Sequence, residues 1–233
     1  METFIRRIDY NNQIRNDVLD VIIDQDESIL QSAENAAIAE LVSYLSQRYK
    51  TDEIFAVIHV WSKSKSWTSG DRVSLTPSVV WNNTSTFTDG TYLADAGSEN
   101  VYRVKNSPVA GTLVTNSGYF DLIGDFGALY YAKEDMTSGF EIGDASKWTA
   151  GDTRDPLILR FLIDVILYEI HCRINPRNIP QHRINRRDDA IDWLKKVADP
   201  RNNVNPNFPE KTFDENKGLD IVFGSNKKQS HYY

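Results

Sequence analysis

Apolar positions in the first fifty residues recur with the spacing of α-helices. A first helix is predicted over residues 11–22, with one apolar side formed by Ile14, Val18, Leu19 and Ile22. A longer helix is predicted from the acidic run at residues 24–27, whose charges suit the positive end of a helix, to about Tyr49. Its apolar stripe is Ala33, Ala37, Leu41, Tyr44 and Leu45. The small alanines predict a close approach of a second helix.

Between residues 55 and 150, short alternating runs replace the helical period. Residues with branched and aromatic side chains dominate, and turn-forming sequences rich in Gly, Asn and Asp separate the runs. The predicted strands are 56–60, 72–76, 78–81, 92–93, 100–105 and 129–132. The pattern predicts a small all-β module of twisted hairpins, inserted between two helical segments.

Helical signals return at Asp155, which can cap a helix that has proline at its first position. Residues 157–174 are apolar almost all round, which predicts a central, buried helix. A last helix is predicted over residues 183–198, where Pro200 stops it. The remainder is rich in Asn and Pro and predicts an extended tail, whose apolar residues Ile221, Val222 and Phe223 we expect to dock on a partner.

Together these patterns predict an α+β fold. Its core is a helical bundle built from residues 1–54 and 151–200. The all-β module of residues 55–150 is inserted into that bundle, and residues 201–233 form the extended, partner-docking tail.

Composition limits the class of protein further. The 233 residues are 40% hydrophobic, which suffices for a sizeable core, and none of their apolar runs approaches the roughly 20 residues of a membrane span. The first residues lack the pattern of a secretory signal. Cys172 is the single cysteine, so an internal disulfide is excluded. We therefore expect a protein kept in a reducing compartment, with no membrane partner.

Charge is distributed unevenly along the chain. The net charge is −7 overall and −6 within residues 1–54, whereas residues 151–200 carry +1 and are rich in arginine. The overall charge disfavours a DNA-coating surface. The acidic and Arg-rich segments predict complementary surfaces within or between subunits. The candidate interface residues are Arg154, Arg160, Arg183, Arg186 and Arg187.

No pattern of catalytic residues stands out. Glycine-rich phosphate loops and strained serine turns are absent from the sequence. His171 and Cys172 are neighbours that point about 100° apart on a helix. They therefore cannot easily bind one metal ion together or act as a nucleophile and its base. The acidic run at 24–27 lacks the glycine and final glutamate of a calcium loop. We predict that the chain is not an enzyme and has no metal or cofactor.

The aromatic residues of the β module leave two interpretations open. They either fill the core of a thin domain or form a platform on which sugars stack, as in carbohydrate-binding modules. The segment Trp67–Val73 loosely resembles the small chitin-binding type of module. The candidate platform is Trp67, Trp81, Tyr92 and Tyr102. A carbohydrate-binding or host-recognition role is therefore the alternative function. Because this motif is short and permissive, we favour the interpretation that these aromatic residues fill the core.

The two C-terminal helices carry a longer motif. Asp164 and Tyr168 form Asp-x-x-x-Tyr on the first helix, and residues 186–198 read Arg-Arg-Asp-x-Ala-x-x-Trp-Leu-x-x-Val-Ala on the second. This combination resembles the Mu-type family of tailed-phage head–tail joining proteins. The helix ending at Tyr49 is similar to that family's second helix, so the resemblance covers roughly residues 5–54 and 155–200. Arg187 stands where the family usually has an aromatic residue.

The resemblance implies a structural virion protein in the neck, at the head–tail interface. The large insertion and the Asn-rich style are similar to ring or connector proteins of crAss-like phages. Such a protein would be made in the host cytoplasm and form a homo-oligomeric ring below the portal protein. That ring would bind a tail protein or second connector and help retain the packaged DNA that passes through its lumen.

Overall fold

The computed structural model describes residues 3–202, 204 and 206–212 and has a mixed α+β fold, which confirms the predicted class. Its helices are α1 (Asn16–Ile22), α2 (Glu27–Leu45), α3 (Thr51–Ile54), α4 (Pro156–Ile174) and α5 (Gln181–Ala198), after a 3₁₀ helix over Arg7–Asn12. The strands are β1 (Ile58–Val60), β2 (Arg72–Ser74), β3 (Tyr92–Asp95), β4 (Asn100–Val104), β5 (Phe120–Asp125), β6 (Leu129–Ala132) and β7 (Trp148–Ala150). Helices therefore flank the strands in the chain.

Side-chain caps fix the starts of the two longest helices. The Asp26 carboxylate accepts the backbone N–H of Ser28 at 2.9 Å at the start of α2. Asp155 accepts the N–H groups of Leu157 and Ile158, both at 2.9 Å, at the start of α4. Both caps satisfy donors that the first helical turn leaves without partners. The predicted starts of both helices are confirmed.

Helices α2, α4 and α5 pack against one another around a shared apolar cluster. The α2 stripe is buried at Leu30, Ala33, Ala37, Leu41 and Leu45. Ala33 and Ala37 are fully buried, and their small side chains let α4 approach closely. Helix α4 is buried on almost every side, as predicted, and α5 contributes Ala190, Ile191, Leu194 and Val197.

The strands form two sheets. One has the order β1-β2-β6-β7, and the other has the order β3-β4-β5. Strands β1 and β2 run parallel, so the prediction of hairpins throughout is wrong at this pair. A parallel pair needs a crossover, which residues 61–71 provide. The strands have two apolar clusters: one contains Trp61, Trp67 and Trp148 together with Val101 of β4, so it joins the two sheets, and the other belongs to the three-stranded sheet.

Several predicted elements differ from the structure. The helix expected over residues 11–22 is divided into the 3₁₀ helix and α1. The expected strand 78–81 makes a single bridge from Val80 to Ala94. Strands β5 and β7 were not predicted from the sequence, and α5 begins at Gln181 instead of Arg183. In β5 the apolar alternation is broken where Ile123 follows Leu122, at a register shift against β4. Gly124 comes next, and a Cβ there would lie 2.9 Å from the Tyr130 hydroxyl.

The described part of the tail packs on its own chain. Phe208 is buried edge-to-face on Tyr49, with ring centroids 5.4 Å apart, and lies 6.3 Å from Trp193. The backbone N–H of Lys211 donates to the carbonyl of Arg48 at 2.9 Å. This part of the expected strap therefore packs on its own chain, and the docking of the tail on a partner stays a prediction. Its proposed anchors, Ile221, Val222 and Phe223, lie outside the described residues.

Candidate functional site

The residues that carry the family resemblance meet where α4 packs on α5. Arg186 Nε lies 2.8 Å from Asp164 Oδ1, and Asp164 is only 2% exposed. The two groups form an ion pair without the alignment of a good hydrogen bond. Burial raises the pKa of Asp164, although the nearby cations Arg186, Arg160 and Arg183 oppose that rise. The buried carboxylate is therefore surrounded by positive charge.

The three arginines around Asp164 differ in exposure. Arg160 is exposed and lies one helical turn before Asp164, whereas Arg186 is about one-third exposed. Arg183 is buried, and its Nη1 has no hydrogen-bond partner among the described residues. Burial and the neighbouring Arg186 lower the pKa of Arg183. Only Arg160 and Arg186 of these three can present a guanidinium group to another molecule.

Arg187 has a role inside the chain. Its Nη2 donates to Glu40 Oε1 of α2 at 2.6 Å, and its guanidinium carbon lies 5.0 Å from the centre of the Tyr168 ring. The cation therefore joins α5 to α2 and stacks on the motif tyrosine. Arg187, which departs from the family pattern, thus has its charge paired with the Glu40 carboxylate and its guanidinium stacked on the Tyr168 ring of the same chain.

Arg154 was predicted to contact a neighbouring subunit, and the structure corrects this assignment. Its side chain is fully buried and donates to both Asp9 oxygens, at 2.7 and 2.9 Å. It also donates to Asp152 and to the carbonyl of Phe4 at 2.8 Å. Because every side of the guanidinium is occupied within the chain, Arg154 is a structural residue. It ties the N-terminal segment to the start of α4.

The candidate sugar platform does not form one exposed surface. Trp67 and Tyr102 are buried, and Trp81 and Tyr92 are half-buried. Trp67 and Tyr92 belong to the apolar cluster that joins the two sheets, whereas Tyr102 and Trp81 belong to that of the three-stranded sheet. The interpretation of these residues as core is confirmed for Trp67 and Tyr102.

A polar groove of about 1050 Å³ lies where the helices meet the first sheet. It is lined in part by Asp52, Asp71 and Tyr131, and Arg72 crosses it. The Arg72 guanidinium donates to the carbonyls of Ile54 and Ala56, so it joins β2 to the end of α3 and the segment that follows it. No histidine or cysteine is among the described residues that line this groove.

Over residues 3–202, 204 and 206–212, no group of three or more His, Cys, Asp or Glu side chains is placed to hold a metal ion. In the same part of the chain, no helix is both long and apolar enough to cross a membrane.

Comparisons of the chain with protein-family models, with curated proteins and with solved structures gave no match. The candidate site therefore rests on the geometry described above and on the sequence motif of α4 and α5.

Proposed function

We propose that this chain is a structural virion protein that forms a head–tail connector ring in the neck of a tailed phage. One observation carries the proposal. The motif residues Asp164 and Arg186, which lie on two separate helices, form an ion pair, and the motif residue Tyr168 stacks with Arg187, which stands where the family has an aromatic residue. The contacts support the motif as a functional unit of the fold.

We further propose that the fold is a helical bundle into which a β module is inserted. The largest apolar cluster draws only on residues 4–55 and 158–208, and the two clusters among the strands draw only on residues 61–148. Replacing residues 56–150 by a short Gly/Ser linker should leave a soluble helical protein, as measured by circular dichroism. Loss of the helical signal would refute this division of the chain.

A closed ring requires two different complementary surfaces on each subunit. The α1–α2 region carries acidic residues, among which Asp17 and Asp24 are exposed. The opposite charge is offered by Arg160 and the partly exposed Arg186. In the proposed ring, the acidic region of one copy faces these arginines of the next, and packaged DNA passes through the lumen.

The test is electron microscopy or native mass analysis of the full chain mixed with the portal protein of the same phage. The expected result is a symmetric ring bound to the portal, which weakens as salt screens the exposed pairs. Arg160→Glu should weaken ring formation. Arg201→Glu, a charge change at the far end of α5, is the matched control and should not.

Failure of the chain to bind portal would refute the connector role. Retention of a polysaccharide through Trp81, with no portal binding, would instead favour the host-recognition alternative. A tail protein or second connector, added to the chain already bound to portal, should bind to that complex, which tests the remaining proposed partner.

A further inference from the structure

A cavity of about 500 Å³ lies between the two sheets, near the ends of β1 and β2. It is bounded by residues 60–64 at the end of β1, residues 75–79 after β2 and residues 90–92 at the start of β3. Its lining combines apolar and aromatic side chains with the hydroxyl groups of Ser62, Ser64, Thr76, Ser78 and Thr91. Both the volume and this mixture of side chains are typical of sites that bind a small, partly polar molecule.

Two aromatic side chains of this lining contact each other and have unpaired polar atoms. The ring centroids of Trp61 and Tyr92 are 4.7 Å apart, and the ring planes are inclined by 70°. Trp61 is 8% exposed, and its Nε1 has no hydrogen-bond partner in the described chain. The buried hydroxyl of Tyr92 has none either. Buried polar atoms are nearly always paired in folded proteins, so each of these two requires a partner that the described chain does not supply.

The charged side chains beside the cavity pair with one another. Lys63, the one charged residue among the described residues that line the cavity, donates to Glu141. Arg103 lies opposite Tyr92 in the pairing of β3 with β4, and its Nη2 is 3.7 Å from the same carboxylate. Because Lys63 is paired, the cavity does not require an ionic ligand. Arg103 Nε and Glu141 Oε2 are buried without hydrogen-bond partners, so unpaired donors and an unpaired acceptor occur next to the cavity.

We infer that this cavity binds one unit of a neutral sugar. Each hydroxyl of a sugar both donates and accepts hydrogen bonds, so it matches the Trp61 N–H, the Tyr92 hydroxyl and the serine and threonine hydroxyls of the lining. The faces of aromatic rings carry partial negative charge, which attracts the C–H groups of a sugar ring. Tyr92 belongs to the platform predicted from the sequence but Trp61 does not, so the inferred site differs from that platform. The inference uses one chain alone and does not require the ring.

The test follows the indole N–H of Trp61 by NMR while the full chain is titrated with neutral sugars. The chain has five tryptophans, and the Trp61 signal is the one that disappears in Trp61→Phe. The probes are glucose, galactose, N-acetylglucosamine, cellobiose and chitobiose. We expect at least one of them to shift the Trp61 signal saturably, because a sugar oxygen accepts the N–H that has no partner in the chain.

Tyr92→Phe removes one hydroxyl and keeps the ring. It should weaken binding of the responding sugar about three- to tenfold, which is the effect of one uncharged hydrogen bond. Because that hydroxyl has no partner in the described chain, the variant should unfold at a urea midpoint no lower than that of the native chain. Tyr131→Phe is the matched control, since Tyr131 lies on β6 and lines the polar groove instead of this cavity. It should bind the sugar as the native chain does.

Four results would overturn the inference. They are no saturable shift with any of the sugars, native affinity in Tyr92→Phe, a lowered urea midpoint of Tyr92→Phe without sugar, and a response to a neutral Gly/Ser tetrapeptide but to no sugar. The last result would assign the cavity to a peptide. Portal binding without a sugar response would refute this site and leave the ring intact, whereas sugar binding without portal binding would refute the ring alone.

Discussion

Removal of the Arg154 guanidinium should destabilise the protein more than removal of any exposed arginine. Burial alone would lower the pKa of Arg154, but its hydrogen bonds to Asp152 and Asp9 raise it, so the residue stays charged. Arg154→Ala leaves the Asp9 carboxylate, 6% exposed, without its bidentate partner. Breaking a buried ion pair from one side costs about 3–5 kcal/mol. We expect Arg154→Ala to lower the free energy of unfolding by that amount.

Urea unfolding followed by far-ultraviolet circular dichroism measures this loss. With a slope near 3 kcal/mol per molar urea for a chain of this size, the midpoint should fall by about 1–2 M. Asp9→Asn should cost a similar amount, and the double variant should cost clearly less than the sum of the two. Arg201 makes the same kind of two-oxygen pairing with Asp199 but is exposed, so Arg201→Ala is the matched control. A midpoint for Arg154→Ala that equals the control's would refute the structural role of this network.

Three further changes test the core, the tail and a buried carboxylate. Leu194→Ala, at a fully buried position of α5, should cost about 2–5 kcal/mol in urea unfolding, and a loss below about 0.5 kcal/mol would place this face of the helix on the surface. Phe208→Ala should cost about 3 kcal/mol because its ring packs on Tyr49, and a midpoint equal to that of the native chain would refute the packing of this part of the tail. Burial raises the pKa of Glu34, so its contribution to stability is complete below the ordinary value of 4.5 and is lost as pH rises through the folded-state pKa. Glu34→Gln cannot ionise, so stability measured between about pH 4 and pH 8 should fall less with rising pH than in the native chain; parallel curves would contradict this assignment.

The sequence alone determined the long helices, because their signals are local. Helix α2 follows from a cap at Asp26 and apolar residues three and four apart, and α4 follows from Asp155 and an apolar run. The change to short alternating runs likewise predicted the β segment. Each of these signals depends on residues within one or two turns of one another, so one chain read in order contains them.

Only the tertiary structure decided which charged and aromatic side chains are available. Arg154 and Arg160 look alike in sequence, yet one is enclosed by Asp9 and Asp152 and the other is exposed. Phe208 lies in a polar tail and is buried because Tyr49 and Trp193, distant in sequence, provide a surface for it. Strand β5 pairs with β4 although its own alternation is broken where Ile123 follows Leu122, so the local pattern did not predict it. Burial and ion pairing depend on contacts between segments far apart in the chain, and local patterns carry no information about which segments meet.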